Sequence, residues 1–275
     1  VWQLHDTWPF SGVTHTLSSQ QGFRKTFLSS LVNKLFNSYV RFCLFRKLTT
    51  NTLHICVSSS HMRKIVLSNS LLTKSSVSVI PLPLPNFPAA SKSSSYPAAP
   101  DYPLSSSVLI VTGERPHDPN KNISAGIIAA LHYCNSALDA SVLVAGRPHF
   151  HFSDNVNHLT NLGFLPRNDL FLLYKKVSVV VVPSIFESYS QVSLESLISG
   201  TPVVCLRGSG VESHPYDNLI FASETDTPDH LASCIRRAIK AKQHFDDSEI
   251  SRRIITHNQH IAQSYSSLYD SLLGL

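Results

Sequence analysis

Glu187 and Glu195 stand eight residues apart in Pro-Ser-Ile-Phe-Glu-Ser-Tyr-Ser-Gln-Val-Ser-Leu-Glu-Ser-Leu-Ile-Ser-Gly-Thr-Pro-Val-Val, residues 183–204. Carboxylates accept hydrogen bonds only, so such a pair suits a polyhydroxylated ligand, provided both face one space. The flanking elements decide that. Val177 to Val182 is all valine except Ser178 and is bounded by Pro183, which predicts a parallel strand buried on both faces. Val203 to Leu206 predicts a second strand after the Gly200-Thr201-Pro202 stop. Between them Val192, Leu194, Leu197 and Ile198 largely follow helical spacing and give one apolar stripe for packing on a sheet. The unit is strand, loop, helix, strand. Ligands of open α/β sheets bind beyond the carboxyl ends of the strands, where Glu187 falls, while Glu195 lies two turns further along the helix. The alternative is a solvated pair of carboxylates at a helix end.

Composition narrows the class. With 275 residues, 43% of them hydrophobic, the chain can bury one large core or two modest ones. Its most apolar run falls well short of the ~20 residues that span a bilayer. The five cysteines, Cys43, Cys56, Cys134, Cys205 and Cys234, lack C-x-x-C spacing, so neither a disulfide framework nor a zinc site is expected and a reduced, cytoplasmic setting is. The net charge of +5 suits nucleic acid, anionic lipid or a nucleotide diphosphate. Nucleic acid is disfavoured because the basic residues form no dense patch with aromatics. Arg24, Lys25, Arg41, Arg46 and Lys47 do punctuate a stretch containing Phe23, Phe27, Phe36, Phe42 and Phe45. That stretch reads either as an amphipathic helix meeting membrane headgroups at the inner face of the membrane, or as an ordinary helix with its aromatics in the core. Gly208-Ser209-Gly210-Val211-Glu212 is not G-x-G-x-x-G, so a dinucleotide-dependent epimerase or dehydrogenase is not expected. Glu224-Thr225-Asp226 reads as loop and cap polarity, not as a metal site.

The segment Pro183-Ser184-x-Phe186-Glu187, closing on Gly200-Thr201-Pro202-Val203-Val204, resembles the Glu-x7-Glu motif of retaining glycosyltransferases of the GT-B fold, most closely glycosyltransferase family 4 of the colanic-acid type. Tyr189 matches an aromatic of that pattern, while Ser188 and Ser190 replace small residues or glycine and so restrict the backbone there. The resemblance implies that Glu187 holds donor-sugar hydroxyls and Glu195 the ribose, with Ser188, Tyr189 and Ser190 lining the donor. Further matches are thinner. Leu4-His5-Asp6-Thr7-Trp8-Pro9-Phe10-Ser11-Gly12 resembles a family segment that faces the interdomain cleft, which implies His5 as a second contact to the sugar. Arg115 and Lys121, after a predicted strand Ser107 to Thr112, match a basic pair that neutralises the donor diphosphate. Asn161-Leu162-Gly163-Phe164-Leu165-Pro166 resembles a segment whose backbone borders the nucleobase, which implicates Leu165.

The expected fold is therefore α/β, GT-B, with two Rossmann-like doubly wound domains, the first truncated. Residues 1–87 form a partial acceptor-side domain, 88–104 a Pro/Ser-rich linker, 105–245 the nucleotide-sugar-binding domain, and 246–275 a helix returning towards the first domain. Smaller elements follow: a strand Leu53 to Val57, a helix capped by Ser58 to Ser60, a strand Val77 to Pro81, helices over Ile123 to Tyr133 and Leu170 to Tyr174, and a helix opened by Thr227 as N-cap with Pro228 at its first position. The expected activity is transfer of a sugar, of hexosyltransferase type, from a nucleotide-diphosphate-sugar to a hydroxyl of a sugar or lipid-linked saccharide, in polysaccharide or glycoconjugate biosynthesis. The donor is a substrate; no cofactor or metal is implied, since two cations can supply the needed charge. The competing expectation is a nucleotide-sugar-binding fragment with weak or no turnover.

Overall fold

The computed structural model describes residues 1–5, 35, 38–39, 42–43, 46, 54–68, 72, 75–85, 106–113, 118–137, 140–147 and 157–275. The proposed linker, Arg115, most of the basic aromatic stretch and the segment after His5 lie outside them.

Two parallel sheets carry the chain. The smaller has the order β1-β2-β3, with β1 Trp2–Leu4, β2 His54–Val57 and β3 Ser76–Val79. Helix α1, Ser60–Ser68, leaves β2 and buries Met62 and Val66. The Ser59 hydroxyl accepts from the Met62 amide at 3.1 Å, so the serine run does cap this helix.

The larger sheet has the order β6-β5-β4-β7-β8-β9, all parallel: β4 Ser107–Gly113, β5 Ser141–Gly146, β6 Leu159–Gly163, β7 Val179–Val182, β8 Val203–Leu206 and β9 Ile220–Ser223. Strand alternation sorts its side chains onto two faces. Leu109, Val180, Val182, Val203 and Cys205 pack with helices α3 (Arg167–Lys176) and α4 (Gln191–Ile198) on one side. Val108, Ile110, Val179, Val181, Val204 and Leu206 pack with α2 (Ile123–Cys134) and α5 (Pro228–Ile239) on the other. A sheet covered on both faces explains why the valine run does not alternate with polar residues. The strand starts two residues later than the run suggests, because the Val177 amide is used at 3.0 Å by Leu173 O to close α3. Thr227 precedes Pro228 as expected but does not cap α5 with its side chain, since its hydroxyl pairs instead with that of Thr225 at 2.9 Å.

The last helix, α6 (Asp247–Leu273), spans both cores. Ile250 and Ile254 join the α3–α4 face, whereas Ile261 and Leu268 pack with Cys56 and Ile80 beside the smaller sheet. Along the way Asn258 bonds both ways with the Leu84 backbone, accepting at 3.0 Å and donating at 2.7 Å, and His257 meets Leu82 O at 3.0 Å. Prolines 81, 83 and 85 remove donors from that extended segment, so its remaining polar groups are satisfied by α6.

Candidate functional site

In the larger sheet the chain runs outward from β4 through β5 to β6, then returns to add β7 on the other side of β4. The strand order reverses there, and loops leaving β4 and β7 flank the crevice that α/β sheets use for ligands. The loop after β4 contains a 3-10 turn, Pro119–Lys121, capped by Asp118, whose carboxylate accepts from the Asn120 amide at 2.9 Å. The loop after β7 is Pro183 to Ser190. It is held from beneath by Gly126 of α2: a Cβ there would sit 2.7 Å from the Pro183 ring, so only glycine permits the approach.

Asn120 ties the two loops together. Its side chain accepts from Phe186 N at 2.9 Å and donates to Phe186 O at 2.8 Å, while its own carbonyl accepts from Ile185 N at 2.8 Å. The next residue on each side then meets: Lys121 Nζ donates to Glu187 Oε1 at 2.7 Å. The lysine side chain is 36% exposed and the glutamate 13%, so the pair is partly buried at the carboxyl end of the sheet, with the lysine reaching solvent. Beside it Asn122 adopts the left-handed conformation (φ 49°) that asparagine tolerates.

The far side of the β7 loop is equally constrained. Gly210 N donates to Glu187 O at 2.8 Å, and a Cβ on Gly210 would come within 2.4 Å of the carbonyl oxygens of Glu187 and Ser188. From the smaller sheet, the Ser59 hydroxyl donates to Ser188 O, and Ser60 pairs with Ser213 at 3.0 Å. Phe186 completes an apolar cluster with Leu4, Ile55, Val57 and Met62, its ring 5.3 Å from that of His61. The carboxyl ends of β1 and β2 therefore abut the loop that carries Glu187. Ser190 has φ 64° and caps α4, accepting from the Ser193 amide at 3.3 Å. The serine that replaces glycine thus occupies a backbone region glycine would favour and offsets part of the cost by capping. Tyr189 is buried edge-on against His214, ring centroids 4.4 Å apart, and the His214 ring meets Ser190 O at 3.2 Å. Burial pushes His214 down to about 4, against the two carbonyls of Ser190 and Tyr189 that favour its charged form.

Glu195 is not a solvated carboxylate. Its side chain is 5% exposed and accepts from Arg167 Nε at 2.9 Å. Burial raises its proton affinity, and Arg167 together with the neighbouring Tyr174 phenol pulls it back. Sequence reasoning missed Arg167, although a signal was present: an arginine at the first position of α3 opposes the helix dipole and so calls for a local partner. It also missed Asn120 and the Ser59 contact, for which neighbouring residues offered no cue.

Of the other residues singled out above, Ser188, Tyr189 and Ser190 lie in the β7 loop, and Leu165 is buried against the α3–α4 face. His5 is exposed at the end of β1 and makes no hydrogen bond or ion pair with the β7 loop. Arg115 lies outside the described residues. Among the described residues no group of three or more His, Cys, Asp or Glu side chains could hold a metal ion. No helix of the described residues is long and apolar enough to cross a membrane.

Residues 106–241 match the family model described as glycosyl transferases group 1. A stretch of 43 residues, 16% of this chain and 11% of the other, is 49% identical to an uncharacterized glycosyltransferase of Methanocaldococcus jannaschii. Among solved structures, sucrose-phosphate synthase from Thermosynechococcus elongatus superposes with a TM-score of 0.63 at 18% identity, over 94% of this chain and 66% of that one. The pneumococcal O-GlcNAc transferase GtfA, solved with UDP and GlcNAc, gives 0.56 at 11% identity, over 86% of this chain and 48% of that one. The chain thus spans about half to two thirds of the length of these two solved relatives.

Proposed function

We propose that the chain is a GT-B glycosyltransferase that moves a sugar from a nucleotide-diphosphate-sugar to a hydroxyl acceptor with retention of anomeric configuration, a reading supported by the match of residues 106–241 to the family model of group 1 glycosyl transferases and by the fold shared with the solved structures. The observation that carries this reading is the Lys121–Glu187 pair at 2.7 Å, at the carboxyl end of the sheet where the strand order reverses. A bound donor would enter between the two. Glu187 accepts hydrogen bonds from sugar hydroxyls, and Lys121 turns to the diphosphate, where negative charge grows as the glycosidic bond breaks. Arg115, by its place in the sequence, supplies the second cation. Glu195, oriented by Arg167, takes the ribose. Leu165 borders the base with its backbone, and His5 approaches the sugar from the end of β1.

Among the described residues, Ser58 Oγ, Asn122 Nδ2 and Gln191 Oε1 are buried without a hydrogen-bond partner. Buried polar atoms are rarely left unpaired, so a ligand or water is expected to satisfy them. The acceptor is a sugar or lipid-linked saccharide in polysaccharide or glycoconjugate assembly, and the site of action is cytoplasmic. The alternative of a donor-binding chain with little turnover rests on serine replacing glycine at 188 and 190, Ser190 keeping the left-handed φ of 64° that glycine favours. Incubation with a panel of nucleotide-diphosphate-sugars and saccharide acceptors separates the two. Transfer by the wild type and none by Glu187→Gln supports the enzyme; wild-type turnover in that variant refutes the role of Glu187.

A further inference from the structure

We propose that Asn120 is a positioning residue for this reaction, setting the register between Lys121 and Glu187 by reading the backbone of the residue just before the glutamate. The inference rests on Glu187 being the carboxylate that holds the donor sugar. Asn120 is only 3% exposed, too deeply placed to line the crevice broadly, and its side-chain amide makes a reciprocal pair with one peptide unit. The donor Nδ2 faces Phe186 O at 2.8 Å and the acceptor Oδ1 faces Phe186 N at 2.9 Å. Only a primary amide of this length matches both at once: aspartate lacks the donor, leucine lacks both groups, and glutamine is one methylene too long. Because Asn120 is followed directly by Lys121, and Phe186 by Glu187, the paired amides lock the two charged side chains one residue further on. The 3-10 turn makes the lock rigid, through the Asp118 cap on the Asn120 amide and Pro119 at its start.

The other supports of the β7 loop act on different groups. Gly210 and Ser59 bond the carbonyls of Glu187 and Ser188, and the smaller sheet packs the Phe186 ring, which leaves the Phe186 N–H and C=O to the Asn120 side chain. Loss of the Asn120 amide therefore leaves the loop docked but lets the Glu187 carboxylate drift relative to Lys121. A displacement of about an ångström at a reacting group costs up to roughly a hundredfold in rate.

The test compares wild type, Asn120→Leu and Asn120→Asp for folding by thermal melting, for nucleoside-diphosphate affinity, and for steady-state turnover of the nucleotide-sugar that the wild type uses. For Asn120→Leu the expected result is a fall in kcat of roughly tenfold to a hundredfold with nucleoside-diphosphate affinity within about twofold of wild type. Asn120→Asp keeps the acceptor but, when ionised, sets an oxygen against Phe186 O. Its kcat relative to wild type should climb as pH falls, since the protonated carboxyl regains a donor, and this guards against a leucine variant that does not fold. A purely structural role would lower stability but leave the kcat of the folded variants at the wild-type value at every pH. The proposal is overturned if either folded variant keeps wild-type kcat, or if the aspartate variant is impaired equally at every pH. A wild type that binds nucleoside diphosphate but turns over no nucleotide-sugar, or turns it over equally well as Glu187→Gln, instead removes the premise and the positioning role with it.

Discussion

His214 makes stability depend on pH through one ring. It is 1% exposed, edge-on to Tyr189, and its Nε2 lies 3.2 Å from Ser190 O, so the neutral ring fits with Nε2–H donating. Burial lowers its pKa from the usual 6.5 to about 4, and nearby His257 adds a smaller push in the same direction. Between those values the unfolded chain holds a proton that the native protein does not, so stability falls as pH drops through that window and the loss is complete below about 4. At 1.36 kcal/mol per pH unit the separation is worth about 3 kcal/mol. In a chain this size that is roughly 6–12 °C of melting temperature. His214→Phe keeps a ring against Tyr189 and removes the titration. At pH 7.5 the variant should be less stable by about 1–3 kcal/mol, because Ser190 O loses its donor. At pH 4 the gap should close or reverse. Subtracting the two proteins cancels the carboxylates that titrate in both. A gap between their melting temperatures that stays constant from pH 7.5 to 4 would refute the reasoning.

Other outcomes follow from the same loops. Gly210→Ala forces a Cβ to within 2.4 Å of two carbonyl oxygens and should cost more than about 2 kcal/mol in chemical denaturation while also lowering turnover; an alanine variant with wild-type stability and kcat would contradict the packing described. Ser190→Gly gives up a cap but relieves φ 64°, so its stability should stay within about 1 kcal/mol of wild type, whereas Ser190→Val should lose more than that in the same titration. Lys242 is largely buried, donating to Tyr174 O at 3.2 Å and Lys175 O at 3.1 Å, and burial brings its pKa down to about 8. Below pH 8 the native protein bears the cost of a buried cation that the unfolded chain avoids, so wild type should gain on Lys242→Met by up to about 3 kcal/mol between pH 8 and 10.5, a shift readable from denaturation midpoints.

Some of this was legible in the residues themselves. An unbroken valine run can be a strand only if both faces are covered, and helical spacing between Val192 and Ile198 supplied one of the covers, so the parallel sheet and the place of Glu187 at a strand end followed from pattern. Lys121 lay in the right loop for a pairing that sequence spacing alone could not reveal, since 66 residues separate it from Glu187. Glu195 read as a carboxylate two turns along a helix, but its burial depends on α3 bringing Arg167 alongside, and helix packing leaves only the faint trace of an arginine placed against the helix dipole. Asn120 and Ser59 contact main-chain atoms, and backbone partners leave no mark on the side chains opposite them. The serines at 188 and 190 stood out as departures from a glycine pattern; that Ser190 recovers part of the cost as an N-cap needed the geometry of α4.

The central claim is that the Lys121–Glu187 crevice holds the sugar end of a nucleotide-diphosphate-sugar. Calorimetric titration of a panel of nucleotide-sugars and of their bare nucleoside diphosphates into wild type and Glu187→Gln tests it most directly. The account predicts that at least one nucleotide-sugar binds wild type and loses about tenfold or more in affinity on substitution, consistent with losing charge-assisted hydrogen bonds of about 1.5–3 kcal/mol, while the matching diphosphate binds both proteins alike. Equal affinity of the nucleotide-sugar for both proteins, or no binding of any member of the panel to wild type, would contradict it.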